Sequence, residues 1–410
     1  MTFGDNLRKI VKILKGNIGV MTLTSGLWNL AGQMVWPFQS LYYLSLGANY
    51  FDLGILSANL SFFKILSLMI GGYLTDRFGR KNLVVFLSFA MSSISLLYAF
   101  APSWQWLLVI GALDGILSGL REPAFSALLA DSTSPSTRAL GYAIWNFGPI
   151  TFGLLSPFIA GQLVDEWGVG HAIRLLFKVL FGVSFFACIL RFILLKETLE
   201  KDEHILFSLK DIVSQIFGFL FSASKSLIPL YVVSGLVAFL FGCTDPFWVT
   251  YATKDVLALS ASEWGLVTIS QTLINLMVNP FLAVASDKYG RRKFLLLSAL
   301  PSLLSLILFT VFHNFLLILV ILSIYSLFIR LNSVVFSALF ADVVRKEVRG
   351  RALALLAILN QLFLMSGSIV GGYLYQSIYK SAPFYLASGV LFITFIVTFF
   401  FIREPSIRDE

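Results

Sequence analysis

Six charged side chains lie deep inside long apolar stretches of this sequence, where a charge is costly and therefore informative. They are Lys64, Asp114, Arg121, Glu122, Asp245 and Arg330. Lys64 precedes Asp76 by 76 − 64 = 12 residues, or about 18 Å along a helix, which is too far for its ammonium group to reach a membrane surface. A charge near the centre of a bilayer costs about 3 kcal/mol on insertion scales. We therefore expect these groups to face a water-filled cavity or one another, as sites for a substrate and for protons.

The elements that position these charges are apolar helices. Of the 410 residues, 58% are hydrophobic and 13% are charged, and the mean hydropathy is +0.85, which is more apolar side chain than a soluble domain buries. Twelve apolar stretches span residues 18–46, 53–75, 83–100, 106–130, 140–164, 172–195, 227–251, 266–285, 294–312, 315–341, 352–374 and 384–402. Because a helix needs about 20 apolar residues to cross a bilayer, the sequence predicts an all-α membrane protein with twelve transmembrane helices.

The sequence is a duplication. The charged turn at residues 72–81 recurs at residues 283–292, and its acid is displaced by 287 − 76 = 211 positions. The same offset relates Phe125-Ser-Ala-Leu-Leu-Ala-Asp131 to Phe336-Ser-Ala-Leu-Phe-Ala-Asp342, Arg138 to Arg349, and Ala160-Gly161 to Gly371-Gly372. Pro37 and Pro246 differ by 246 − 37 = 209 positions. A repeat of this length predicts two halves of six helices each.

The first turn, with the pattern G-x-L-x-D-R-x-G-R-K, resembles the signature loop between the second and third spans of the major facilitator superfamily. Its second copy, with Ala283 for the first glycine, stands where the second half of that family carries it. The resemblance implies two pseudo-symmetric six-helix bundles, at residues 1–195 and 227–410, joined by a cytoplasmic linker at residues 196–226. It also implies a cavity lined by spans one, four, seven and ten. The candidates that we assign to this cavity are Gln33, Trp36, Lys64, Asp114, Arg121, Glu122, Asp245 and Arg330.

A second set of candidates repeats at the cytoplasmic ends of the helices. In the first half these residues are Gly72, Asp76, Arg77, Gly79, Arg80, Asp131 and Arg138, and in the second half they are Asp287, Gly290, Arg291, Asp342 and Arg349. The glycines permit a turn with positive φ. Opposite charges at the ends of neighbouring helices can close a clamp that must break when a carrier opens inward. We therefore predict a cytoplasmic gate at these residues.

Basic residues concentrate in alternate loops, which predicts that both termini are cytoplasmic in a multi-pass protein of the plasma membrane. The net charge of +8 follows from this bias, so we expect no nucleic-acid partner. In the linker, apolar residues recur at helical spacing, and two interpretations stay open. The segment is either an amphipathic helix on the inner membrane face or a helix packed under the bundles.

Spacing leaves alternatives open within the cavity set. Asp114 and Arg121 are 121 − 114 = 7 residues apart and share one helix face, while Glu122 points about 100° away from Arg121. Arg121 is either neutralised by one of these acids as a structural pair or available to a ligand. Asp245 directly precedes Pro246, so it either caps a helix segment that begins at the proline or exchanges a proton during transport.

The motifs separate the classes of function. The sequence lacks H-E-x-x-H, G-x-S-x-G and the phosphate-binding pattern G-x-x-x-x-G-K-[ST], which argues against an enzyme, a metal site or a nucleotide-driven pump. A channel or a receptor would leave the matched turns without a role. We therefore predict a secondary active transporter that works by alternating access. It needs no cofactor and uses a proton gradient as its energy source.

The leading prediction is proton-coupled export of amphiphilic or drug-like compounds. Span five contains Gly148-Pro149 and Gly153 and is similar to the Gly-Pro-rich span five of drug:proton antiporters. Gly111 stands where many of those carriers have an arginine. The alternative is a proton-coupled symporter of a small organic anion or sugar, with Arg121 and Arg330 as the ligand clamp. The expected partners are a small-molecule substrate, protons and the lipid bilayer, and the expected state is a monomer.

Overall fold

The computed structural model describes residues 13–134, 137–199, 227–345 and 348–404, and all regular secondary structure within these ranges is helical. In the first half the helices are α1 (Asn17–Gly32), α2 (Gln39–Ser45), α3 (Tyr50–Phe78), α4 (Arg80–Phe100), α5 (Trp104–Asp131), α6 (Arg138–Phe152), α7 (Ser156–Trp167) and α8 (Val169–Leu194). In the second half they are α9 (Ile228–Thr244), α10 (Ala261–Tyr289), α11 (Arg291–Val311), α12 (Phe315–Val343), α13 (Arg349–Ser377) and α14 (Ala382–Phe401). The predicted linker helix lies almost wholly outside the described residues.

Both halves break their first apolar stretch at the proline that the sequence repeats. A short 3₁₀ turn, Trp36–Phe38, separates α1 from α2, and a second one, Asp245–Phe247, follows α9. The two turns begin 245 − 36 = 209 residues apart. Proline lacks the N–H that continues an α-helix, so the same residue interrupts the helix in both copies. A π-helical segment, Thr250–Asp255, then completes the second of these stretches.

Ten helical stretches among the described residues are long and apolar enough to cross a membrane, so the predicted class of fold is confirmed and the count of twelve is confirmed only in part. The first stretch is too short as a continuous helix, because α1 has 16 residues and ends before the break at Pro37. The fourth, α5, is 28 residues long, but its polar and charged residues lower its hydropathy. The two exceptions are therefore helices that carry candidate site residues.

Each half of the chain packs its helices in the same order. In the first unit, α4 packs between α5 and α8, and α1 packs against α6 and α8. In the second unit, α11 packs between α12 and α14, and α9 packs against α13 and α14. Close approach depends on small residues, since a Cβ on Gly371 would stand 2.4 Å from the carbonyl oxygen of Cys243. Glycine therefore permits α9 and α13 to meet at backbone distance.

The division into units differs from the predicted domains at one place. The first unit comprises Met1–Gly47 and Phe62–Phe207, and the second comprises Ala48–Ser61 and Ser208–Glu410. The first turns of α3 are grouped with the second half, and there Tyr50 and Tyr375 both donate hydrogen bonds to Asp255. The boundaries at residues 195 and 227 stay predictions.

Candidate transport site

A cavity of about 550 Å³ opens within the first unit. Residues of α1, α2, α3, α4, α5, α6 and α8 line it, and five of its lining residues carry a charge. They are Lys64, Asp114, Arg121, Glu122 and Arg191. Aromatic side chains, among them Trp28, Phe125 and Trp145, form much of the remaining wall. Four of the six charged candidates line this cavity, namely Lys64, Asp114, Arg121 and Glu122, and their role as a transport site stays a prediction.

Lys64 and Glu122 form an ion pair between α3 and α5. The Lys64 Nζ atom lies 2.9 Å from Glu122 Oε2, and the two side chains are 22% and 53% exposed. Glu122 lines the same cavity as Asp114 and Arg121, although the helical spacing places it about 100° from Arg121. The cavity extends to α3, where Lys64 lies and forms the ion pair with the Glu122 carboxylate.

Arg121 contacts aromatic rings. Its Cζ atom lies 5.4 Å from the ring centroid of Trp28 and 5.8 Å from that of Phe125. Within the described ranges, no carboxylate comes within 4.0 Å of its guanidinium group. The structural pair with Asp114 or Glu122, which the spacing left open, is therefore not formed. Rings attract a cation but do not neutralise it, so the charge of Arg121 stays available in the cavity.

Asp114 lines the same cavity from the same helix face as Arg121, as their spacing predicts. Its carboxylate is half-buried, and in the described part of the chain no basic group pairs with it. Trp36 lines the cavity and is 44% exposed. Gln33 belongs elsewhere, because its Cγ lies against Gly153 at the end of α6. The assignment of Gln33 to the cavity wall is thus not supported for this cavity.

The two candidates of the second unit, Asp245 and Arg330, are not among the residues that line this cavity. Asp245 is the first residue of the 3₁₀ turn after α9, and Arg330 lies in α12. Both side chains are exposed, and neither has an ion-pair partner among the described residues. The residue at the cap position of this turn is Thr244, and Asp245 follows it as the first residue of the turn. Its place before Pro246 therefore does not make Asp245 the cap residue.

Arg191 is a cavity residue that the sequence analysis missed. It lies in the last turn of α8 and is 1% exposed. Its Nε, Nη1 and Nη2 atoms donate to the hydroxyls of Thr24 (2.9 Å), Ser88 (2.8 Å) and Ser25 (2.9 Å). A base near the end of an apolar stretch is also what anchors a helix at the cytoplasmic surface, so the sequence alone gives no signal that Arg191 turns inward.

The predicted cytoplasmic residues form matched ion pairs in both units. Arg80 pairs with Asp131, and Arg291 pairs with Asp342, with 291 − 80 = 342 − 131 = 211. Each pair joins the start of the third span of its half to the end of the fourth. Arg291 also lies 3.0 Å from Asp287. Opposite charges thus meet at the ends of adjacent helices within each unit, and their role as a gate stays a prediction.

Not every residue of the predicted gate takes part in these pairs. Arg349 donates to the carbonyl oxygens of Ala341 (2.7 Å) and Val344 (3.4 Å), so it caps the end of α12, and it forms no ion pair with any described acid. Arg77 stacks on its neighbours, with its Cζ 5.9 Å from the Tyr73 ring centroid. Asp76 and Arg138 are exposed, and neither pairs with an opposite charge in the part of the chain that the structure describes. A gating role for these two stays a prediction.

Gly79 and Gly290 form the turns between the second and third spans of each half. Their φ angles are +89° and +106°, a region that side chains rarely adopt. The carboxylate of Glu197 accepts from the backbone N–H groups of Arg80 (3.0 Å) and Lys81 (3.1 Å). Glu404 does the same for Arg291 (2.8 Å) and Arg292 (3.0 Å). In each unit an acid therefore satisfies the free N–H groups at a helix start.

The sequence analysis did not predict the capping role of Glu197 and Glu404. Each stands three residues after its last helix, in the tripeptides Leu195-Lys-Glu197 and Ile402-Arg-Glu404. Burial would raise the pKa of the Glu197 carboxyl, but four backbone N–H donors outweigh this effect and hold its pKa below the usual value. The two capping acids are 404 − 197 = 207 residues apart. A comparison of the two halves at the offset of 211 therefore does not align them.

The architecture and the matched charges define a duplicated helical membrane carrier, and comparisons with known proteins agree. The family model of the Major Facilitator Superfamily matches residues 21–242 and again residues 227–410. The chain is 33% identical over 304 residues to the multidrug resistance protein MdtG of Salmonella typhimurium (strain LT2), an alignment that covers 72% of each protein. It is 27% identical over 305 residues to MdtG of Klebsiella pneumoniae (strain 342), covering 72% of this chain and 71% of the relative.

Solved structures share the fold at low sequence identity. The human organic anion transporter MFSD10 (TETRAN) aligns with a TM-score of 0.70 and 17% identity, over 93% of this chain and 98% of the other. A bacterial homolog to the human lysosomal transporter Spinster aligns with a TM-score of 0.70 and 14% identity, over 95% and 98%. The chain belongs to the major facilitator superfamily, and it is therefore a multi-pass membrane protein and a secondary transporter of small molecules.

Proposed function

We propose that this chain is a proton-coupled exporter of amphiphilic or drug-like compounds that works by alternating access. The cavity of the first unit carries the proposal, because its wall brings aromatic rings together with the Asp114 carboxylate. Aromatic and apolar walls accept ligands of many shapes. A carboxylate that is not held in an ion pair can exchange a proton when its surroundings change. One cavity thus combines the surface for an amphiphile with a group for coupling.

The relatives support the direction of transport. MdtG is named a multidrug resistance protein, and a carrier lowers the internal concentration of a toxic compound only by exporting it. Export by antiport would use the inward flow of protons as the energy source. We place the carrier in the plasma membrane as a monomer. The loop charges predict that both of its termini lie in the cytoplasm.

Two acids are candidates for proton coupling. We keep Asp245 as the first, because it is exposed in the broken stretch of the second unit and no basic group among the described residues lies within 4.0 Å of it. Asp114 is the second. Glu122 ranks below both because it is paired with Lys64. In this proposal the ion pairs Arg80–Asp131 and Arg291–Asp342, with Asp76 and Arg138, form the cytoplasmic gate.

Purified protein in proteoliposomes with an acidic lumen tests the proposal. The probes are ethidium, a permanently cationic amphiphile, and sulforhodamine B, an anionic one. We expect the liposomes to accumulate at least one of the two dyes, and a protonophore to abolish the accumulation. Protein-free liposomes provide the control. Accumulation of neither dye above that control would contradict export of amphiphiles, and accumulation that survives the protonophore would contradict proton coupling.

A further inference from the structure

Two arginines from different helices share the same pair of aromatic rings in the cavity of the first unit. Arg121 in α5 and Arg191 in α8 both contact Trp28 and Phe125, and the Cζ of Arg191 lies 5.9 Å and 5.3 Å from the two ring centroids. Both residues line the cavity. Two guanidinium groups gathered at one place in an apolar bundle repel each other, so their proximity requires an explanation.

The contacts of Arg191 orient its side chain without cancelling its charge. All three of its hydrogen-bond acceptors are neutral hydroxyls, from Thr24, Ser25 and Ser88. Within the described residues, no carboxylate lies within 4.0 Å of it. A guanidinium group has five N–H donors, and three of them are used here. The remaining donors and the full positive charge are left for another group.

The charges of the cavity wall leave a positive excess. Lys64, Arg121 and Arg191 oppose Asp114 and Glu122, so the sum is 3 − 2 = +1. Lys64 and Glu122 are paired with each other. The two arginines are therefore balanced by Asp114 alone, and Asp114 is not within ion-pair distance of either. The positive charge is concentrated beside Trp28 and Phe125.

The second half of the chain shows that the fold does not need an arginine at this position. The capping acids give an offset of 404 − 197 = 207 between the last helices of the two halves, and 191 + 207 = 398. The corresponding residue is Thr398, which is 3% exposed in α14. A small neutral side chain thus fills the equivalent place. A buried arginine is costly in a membrane protein, and its presence in the first half alone favours a role in binding.

We propose that Arg191 and Arg121 form an anion-binding subsite, which takes the carboxylate or sulfonate group of an amphiphilic substrate. Guanidinium groups bind such oxyanions through charge-assisted hydrogen bonds. The apolar part of the substrate then contacts the remaining wall, where Trp145 and Phe177 lie. This inference rests on the proposed transport function and refines its substrate class to amphiphiles that carry an acidic group.

A matched pair of ligands tests the subsite by binding alone. Naphthalene-1-acetate and its neutral amide, naphthalene-1-acetamide, have the same ring and differ in charge. Binding to the purified protein in detergent is followed by calorimetry, without a gradient. We expect the wild type to bind the acid at least about tenfold more tightly than the amide. Arg191→Gln and Arg121→Gln should each weaken binding of the acid about 10- to 100-fold and change binding of the amide less than about twofold.

Arg174→Gln provides the matched control, because Arg174 lies in the same helix and donates to the carbonyl oxygen of Ala101 outside this cavity. We expect it to bind the acid like the wild type. Equal affinity of the wild type for acid and amide would overturn the proposal, and so would full binding of the acid by a folded Arg191→Gln protein. If Arg191→Gln does not fold, two measurements still test the proposal. They are the affinities of the wild type for the acid and the amide, and the affinity of Arg121→Gln for the acid. Since no transport is measured, failure here is distinguishable from failure of proton-coupled export.

Discussion

At the scale of single residues, the cavity contains two kinds of charged side chain. Some form an ion pair with each other, and others form none and can bind a substrate or a proton. Lys64 and Glu122 lie 2.9 Å apart, and each lowers the free-energy cost of placing the other charge inside the helix bundle. Arg121 and Arg191 contact rings and hydroxyls, and within the described ranges no basic group lies within 4.0 Å of the Asp114 carboxylate. Because an unbalanced charge is expensive inside a membrane protein, the unpaired groups are the ones that we assign to substrate and proton binding.

The turn at Gly79 allows a test of one residue. Its φ of +89° is unfavourable for any side chain, and a Cβ there would stand 2.6 Å from Glu197 Oε2. We expect Gly79→Ala to lower the free energy of unfolding by about 1–3 kcal/mol, measured as thermal unfolding of the purified protein in detergent. Gly72→Ala is the control, because a Cβ at Gly72 meets nothing within 4 Å. Equal melting temperatures of the two variants would contradict this account of the turn.

The missed residues show where sequence reasoning ends at this scale. Asp114, Arg121 and Lys64 were predicted because they interrupt apolar stretches far from either end. Arg191 was not, since it lies in the last turn of α8 and its hydroxyl partners come from α1 and α4. Only the packing of those helices brings Thr24, Ser25 and Ser88 around it. A contact between distant parts of a chain leaves no mark in the spacing of either part.

At the scale of elements, the helices end and begin at charges that the duplication repeats. Glu197 and Glu404 each accept two N–H groups from the start of a neighbouring helix. Beside them, Arg80 pairs with Asp131 and Arg291 with Asp342. A negative charge at a helix N-terminus is favourable because the free N–H groups there carry partial positive charge. The same device therefore connects three helices in each unit.

The cap at Glu197 makes stability depend on pH. Its pKa lies below the ordinary value of 4.5, so its contribution is complete above that value and is lost as the pH falls through the lowered pKa. We expect Glu197→Gln to lower the free energy of unfolding by about 0.5–1 kcal/mol at neutral pH, and the difference from the wild type to shrink in acid. Thermal unfolding at a series of pH values measures both effects. The control is Glu166→Gln, which changes an exposed acid at the end of α7 and should have neither effect. If Glu197→Gln lowered the free energy of unfolding equally at every pH, the charged cap would be contradicted.

Most elements could be predicted from the sequence. Apolar runs give the helices, and the offset of 211 gives the matched turns and ion pairs. The break within the first stretch was not predicted, although Pro37 marks it, because a proline can also kink a helix without ending it. The role of Arg349 was predicted incorrectly for a related reason. An arginine near helix ends binds either a carboxylate or terminal carbonyl groups, and its sequence position does not distinguish them.

At the scale of the whole molecule, two similar halves carry different chemistry. Each half has the broken first stretch, the turn with positive φ, the ion pair and the capping acid. The charged cavity with Arg121 and Arg191 belongs to the first unit. Trp36 belongs to the wall of this cavity. The corresponding position of the second half, 209 residues later, is Asp245. Shared features fit the mechanical requirements of alternating access, and the differences fit substrate and proton binding.

The most direct test of this account is transport by Asp245→Asn in proteoliposomes, with Asp114→Asn and the control Glu166→Gln measured beside it. Substrate uptake driven by a pH gradient is compared with substrate exchange at equal pH, which does not require the carrier to change its protonation. We predict that Asp245→Asn loses gradient-driven uptake and retains exchange, while Glu166→Gln keeps both. Undiminished gradient-driven uptake by Asp245→Asn would contradict its coupling role and, if Asp114→Asn lost that uptake, would transfer the role to Asp114. Undiminished uptake by both aspartate variants would contradict proton coupling through either acid.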